Sequence, residues 1–126
     1  MSFRTPLGRA RGLSAAGTGT GHWWVQRVTA VALIPLTLWF VWFLSRFLVL
    51  SHGEMVQWLA RPAHAVLLLA YLGAAFYHAL LGLQVVIEDY VHAPWLRTGS
   101  LLALKLVLIV LGLTAVFAAL RIAFSS

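Results

Sequence analysis

Cysteine is absent from this sequence of 126 residues. Disulfides, thiolate metal sites, iron–sulfur clusters and covalent c-type haem attachment are therefore excluded for this chain. Acids are nearly absent too: three Asp and Glu stand against nine Lys and Arg. Charged residues of both signs reach only 10%, well below the roughly 25% of soluble domains. There is no glycine-rich phosphate loop, nucleophile elbow, HExxH motif or internal repeat, so those chemistries leave no signature. What fills the space is apolar. Hydrophobic residues make up 62%, which excludes an ordinary globular protein and points to a membrane. The length supports one domain. A net charge of +6 raises nucleic acid as a partner, but the basic residues are scattered around apolar spans, and lipid topology accounts for them better.

Residues 1–21 are rich in Gly, Ser, Thr and Arg, with Arg4, Arg9 and Arg11 and no acid. The composition resembles a mitochondrial transit peptide. Its glycines and Pro6 weaken any amphipathic helix, so a flexible or surface-lying arm is the preferred reading. His22-Trp23-Trp24-Val25-Gln26-Arg27 has the look of a membrane-interface anchor. The spacing of apolar residues predicts an all-α membrane protein of three spans, about 28–50, 63–87 and 100–123, each long enough for about 30 Å of hydrocarbon. Pro35 can kink the first. Residues 51–62 read as a short polar loop. Residues 88–99 read as a second loop, with Pro94 and Gly99 as breakers and Trp95 at the interface. Lys105 near the start of the third span can snorkel to the nearer surface.

The stretch Tyr71–Trp95, YLGAAFYHALLGLQVVIEDYVHAPW, carries the chemistry. His78 sits mid-span, and an ionisable group at that depth implies a partner and a purpose. His78 and Asp89 are eleven positions apart, so on a helix they point within roughly 20° of each other, about 16 Å apart along the axis. Gly82 lies one turn after His78 and Ala74 one turn before it, leaving room for something flat and large or for a close helix neighbour. The imidazole reads either as a neutral histidine bonding a neighbouring helix, or as an axial ligand to haem iron.

His64 lies about 40° around the helix from His78 and roughly 21 Å away, too far for both to clamp one haem. It reads as an interfacial histidine; the alternative is a second haem ligand, as in a two-haem cytochrome b anchor. His52 reads as a solvated loop residue, and His92 as surface or outer support of the site. Asp89 and Tyr90 read either as a helix end meeting water, or as a proton-handling carboxylate and an O–H donor suited to a quinone carbonyl. A small transporter, or an assembly protein whose polar groups only glue helices, are the other classes. The transporter reading lacks an acid deep in a span.

With His78, Gly82, Asp89 and Tyr90-Val91 in the second span, and Gln26-Arg27-Val28-Thr29-Ala30 leading into the first, the chain resembles the hydrophobic membrane-anchor (D-chain) subunits of succinate dehydrogenase. The length and three-span layout match as well. The resemblance implies that His78 is one axial ligand of haem b, the other coming from a companion cytochrome b anchor subunit. It implies that Tyr90, with Asp89 beside it, bonds a ubiquinone carbonyl, and that Arg27 and His22 lie near the haem propionates or the quinone pocket. The succinate site, flavin and iron–sulfur clusters would reside in a flavoprotein and an iron–sulfur partner subunit, so the chain would be non-catalytic alone. The setting would be a bacterial inner membrane, or alternatively the mitochondrial inner membrane.

Charge counting sets the expected orientation. Arg4, Arg9, Arg11, Arg27, Arg97 and Lys105 collect on one side, and Arg46, Arg61 and Arg121 on the other. The excess predicts the N-terminus and the residues after the second span inside, and the C-terminus outside. Cysteines introduced as Ser2→Cys and Ser126→Cys should label from opposite faces of sealed vesicles; labelling of both from one face would overturn the three-span layout.

Overall fold

The computed structural model describes residues 16–125, with side chains from Thr20 onward. Residues 1–15, most of the expected N-terminal arm, lie outside the described residues. Among the described residues four helices follow one another: α1 Ala16–Phe47, α2 His52–Leu59, α3 Pro62–Tyr90 and α4 Pro94–Ala123. The apolar parts of α1, α3 and α4, Thr20–Phe47, Pro62–Tyr90 and Pro94–Ala123, are each long enough to cross a membrane. The all-helical, three-span expectation therefore stands. All three spanning helices start before the expected limits and α3 also ends beyond them, because a helix satisfies its backbone internally and has no need to end where the hydrocarbon ends; α1 instead stops at Phe47, short of the expected 50. At its start α1 takes in residues 16–21, which the sequence reading places in the arm, and it runs on through Pro35.

Two expected loops are shorter than their composition suggests. Within 51–62 the chain forms α2. Ser51 is its N-cap: the Glu54 amide donates to Ser51 Oγ at 3.4 Å, and the Ser51 amide donates to Glu54 Oε2 at 2.9 Å. This reciprocal pair is a capping box, and Met55 and Leu59 beyond it are buried. The second link is reduced to 91–93. Pro94 opens α4 rather than breaking a helix, because its missing N–H is unneeded at the first helical position; Pro62 opens α3 in the same way. Gly99 lies inside α4.

The middle helix is α3, packed against α1 on one side and α4 on the other, with α2 touching α3 and α4. The α1–α3 pairing is antiparallel. Phe40 stacks on Tyr71 at 4.3 Å between centroids, and Thr29 reaches His78 half-way along. On the other side, the Phe76 ring lies 3.6 Å from where a β-carbon on Gly112 would stand. The closest packing gathers at one end, where Phe43, Met55, Leu59, Leu68 and Ala119 form a single buried cluster. Elsewhere the apolar side chains face outward: Val31 is 67% exposed, Leu38 70% and Leu113 65%. Lipid or partner chains must cover such surface, since water would not tolerate it.

The Glu54 carboxyl is held below its ordinary range, first by the bond from the Ser51 hydroxyl and then by the Ser51 amide. A depressed carboxyl adds stability above its unfolded pKa and loses it as pH falls through the lowered folded value. Acidification below the usual carboxylate range should therefore fray the start of α2 in the wild type. Amide exchange across 51–56, compared at each pH with Glu54→Gln, should show a widening gap on raising the pH; parallel profiles would remove the ionised cap.

Candidate functional site

His78 is half-buried and reaches across to α1, where its Nδ1 lies 3.0 Å from Thr29 Oγ1. Thr29 Oγ1 is also 2.8 Å from the carbonyl oxygen of Val25 and 3.1 Å from that of Gln26. No described residue takes His78 Nε2. The imidazole is thus anchored through one nitrogen while the other keeps its bonding capacity. One turn on, Gly82 removes the side chain that would otherwise fill the α1–α3 seam: a β-carbon there would meet Gln26 Nε2 at 3.7 Å. The donor chemistry fits an iron-bearing macrocycle, because a haem ligand needs one free ring nitrogen and an oriented ring; His78 does not itself line the open cavity beside Gly82. Among the described residues no three His, Cys, Asp or Glu side chains gather as a metal-binding set, so His78 would be a single attachment completed from outside this chain.

Beside Gly82, between the N-terminal part of α1 and the C-terminal part of α3, lies an open cavity of about 650 Å³. His22, Trp23 and Gln26 line it from α1; Leu81, Gly82, Gln84, Val85 and Glu88 line it from α3. Gln84 Nε2 donates to Glu88 Oε1 at 2.8 Å, an i,i+4 bond on the helix surface. Gln26 Oε1 is buried with no hydrogen-bond partner. A second groove of about 310 Å³, between α3 and α4 beside Tyr77 and Leu113, is almost wholly apolar and holds none of these groups.

The residues expected from sequence divide into three groups. His22 lines the cavity. Arg27 does not; its guanidinium lies 4.9 Å over the Trp23 ring, a cation–π contact that ties it to a cavity wall. Asp89 and Tyr90 lie at the same end of α3 but outside the lining, and Tyr90 is 80% exposed. Gln26, Gln84 and Glu88 are lining groups that the sequence reading does not single out for the site. Their signal is polarity at the 26, 84 and 88 positions of otherwise apolar helices, with the four-residue spacing of Gln84 and Glu88.

At the opposite end, His64 is half-buried near the start of α3. It stacks on Trp58 at 3.7 Å, with Trp39 and Trp42 beyond at 6.3 and 6.2 Å, and its Nδ1 is enclosed without a partner. Trp58 comes from α2, which is why the histidine is covered. His52 is exposed at the start of α2, and His92 is exposed in the 91–93 link.

Comparison with known proteins agrees with this layout. Residues 1–119 match the family described as succinate dehydrogenase/fumarate reductase transmembrane subunit. A "Succinate dehydrogenase hydrophobic membrane anchor subunit" of Rickettsia bellii (strain RML369-C) is 36% identical over 104 residues, covering 82% of this chain and 83% of the relative. One of the same description from Paracoccus denitrificans is 33% identical over 90 residues, covering 71% and 70%. A "Succinate dehydrogenase membrane anchor subunit" of Reclinomonas americana is 26% identical over 95 residues, covering 73% and 79%. No solved structure matches the chain significantly.

Proposed function

This chain belongs to the succinate dehydrogenase/fumarate reductase transmembrane-subunit family and is a membrane-anchor subunit of succinate dehydrogenase, and on that premise we propose that it holds one side of haem b through His78 and forms part of the site where ubiquinone is reduced. The observation that carries the haem reading is the half-used imidazole: Nδ1 tied to Thr29, Nε2 without a partner among the described residues. A companion cytochrome b anchor subunit would hold the group from the other side, and an iron–sulfur and a flavoprotein subunit would deliver electrons from succinate. The complex sits in a bacterial inner membrane with the N-terminus inside.

When bound, haem would supply a single-electron store. This chain's residues do the rest by position and charge. His78 would hold the group through Nε2. Arg27, held over Trp23, and His22 in the cavity wall place positive charge and donors where propionates or quinone oxygens come to rest. Tyr90 projects outward from the end of α3, so its phenol O–H can donate to a quinone carbonyl only at a face shared with a partner chain. Ubiquinone takes up two electrons and two protons on becoming the quinol, and both protons come from water. A site at the end of a span suits a ligand that arrives through lipid yet draws protons from solution. Asp89 beside Tyr90 can relay such a proton and orient the phenol.

Replacing His78 by Ala in the assembled complex should abolish the low-spin b-type spectrum or convert it to high-spin, whereas His64→Ala should keep it. One haem per complex is expected, in keeping with the enclosure of His64 by tryptophans. A count of two haems, one of them lost in His64→Ala, would replace this reading by the two-haem one. Tyr90→Phe keeps the ring and deletes one oxygen. Losing the bond to a quinone carbonyl costs about 1–3 kcal/mol when the partner is left unpaired, so quinone reduction should fall about tenfold or more. Reduction of soluble dyes by the partner subunits should be unchanged, and Asp89→Asn should slow the quinone step alone. Wild-type quinone turnover and inhibitor binding in intact Tyr90→Phe complex would reduce Tyr90 to an interface anchor.

A further inference from the structure

We infer that Thr29 is the positioning residue that fixes the tautomer and ring orientation of His78, donating its own proton to the α1 backbone and accepting one from His78 Nδ1–H. The inference rests on the reading of His78 as the iron ligand and adds a residue to it.

The argument turns on one oxygen with three neighbours. Thr29 Oγ1 lies 2.8 Å from Val25 O, 3.1 Å from Gln26 O and 3.0 Å from His78 Nδ1. A hydroxyl has one proton to give and two lone pairs to receive with. Both carbonyl oxygens can only accept. If the hydroxyl proton pointed at His78, two lone-pair-bearing carbonyl oxygens would face a third oxygen at 2.8 and 3.1 Å with no hydrogen between them, which is electrostatically repulsive. If the proton points at Val25 O, the usual back-bond of a helical threonine, that repulsion becomes attraction, and the hydroxyl is left as an acceptor. His78 Nδ1 must then carry the ring proton.

The consequence falls on the other nitrogen. A neutral imidazole protonated at Nδ1 has its free lone pair at Nε2, the form in which histidine binds a metal through that atom. The partner is also rigid. Thr29 is β-branched and pinned to its own helix turn, so its rotamer freedom is small. Because α1 and α3 are separate helices, the bond fixes the ring relative to a second element and stops rotation about the Cβ–Cγ bond. Outer partners of this kind typically alter metal affinity by about 10–100-fold.

The test compares Thr29→Val, Thr29→Ala and Thr29→Ser with His78→Ala in the purified four-subunit complex. The readouts are haem per complex and the low-spin electron paramagnetic resonance g values, which report the plane of the axial imidazole. Thr29→Val keeps the branched shape and removes only the acceptor. It should shift the g values and loosen haem, so that haem is lost about tenfold or more readily on detergent dilution. Thr29→Ser should behave as the wild type. Should Thr29→Val assemble poorly, Ala and Ser settle the matter, because both lack the methyl and only Ala lacks the hydroxyl: Ala must group with Val, and Ser with wild type. Ser grouping with Ala, or Ala and Val matching wild type in g values and haem retention, overturns the role of Thr29 while leaving His78 as ligand. Retention of the low-spin spectrum in His78→Ala overturns both readings together.

Discussion

An imidazole at mid-span leaves α1 and α3 little freedom of register. Its nitrogens are strongly polar, hydrocarbon offers them nothing, and burying an unbonded polar group costs several kcal/mol. The bond from His78 to Thr29 meets that demand for one nitrogen and aligns the two helices at the same time. Sliding α1 by one turn would take Thr29 away from His78 and bring the bulkier Gln26 or Leu33 into its place. The neighbouring contacts agree with the same register. Gln26 lies against Gly82, its Nε2 3.7 Å from where a β-carbon would stand, and Phe40 meets Tyr71 a few turns away.

Around that seam the chain covers itself very unevenly. The end that includes α2 is closed by stacked rings, Trp58 on His64 and Phe43 with Trp39 and Trp58, and it holds five of the six buried apolar residues found among the described residues. The sixth, Leu81, stands alone at the other end, beside the cavity. Aromatic contacts add stability beyond their area, which explains how so short a chain keeps one end ordered. Association of the spans gains little from apolar burial in lipid, where tails are as apolar as leucine. Close packing and a few polar contacts must therefore do what a core does in water.

Much of this was open to reading in the residues, for identifiable reasons. Three spans are legible because hydrocarbon thickness sets a length that sequence displays directly. The weight on His78 is legible because an ionisable group in such a run is rare. The helix α2 is missed because residues 51–62 look polar as a whole, although Ser51-x-x-Glu54 ahead of Met55 is the signature of a capping box. That omission carries a second one with it. His64 reads as open on all sides only while Trp58 is placed in a loop; once Trp58 is helical, its ring stacks on one face of the half-buried imidazole. The cavity is likewise invisible from sequence, since Gln26 and Gly82 meet only when the α1–α3 register is known. Prolines 62 and 94 mislead in a simpler way, because the same residue that ends one helix is favoured as the first residue of the next.

The two ends therefore differ in what they still require. At the closed end the unpaired Trp39 Nε1 and His64 Nδ1 are enclosed by this chain's own rings, and little but a small molecule such as water could reach them. At the open end Gln26 Oε1 is also unpaired, but it borders a cavity whose other walls carry His22 and the Gln84–Glu88 pair. An unpaired buried acceptor costs about 1–3 kcal/mol, a penalty that a donor brought into the cavity would remove. Apolar cover from lipid can satisfy the outward leucines and valines of all three spans, yet it cannot satisfy this oxygen. The open end is thus chemically incomplete in a way that the rest of the lipid-facing surface is not.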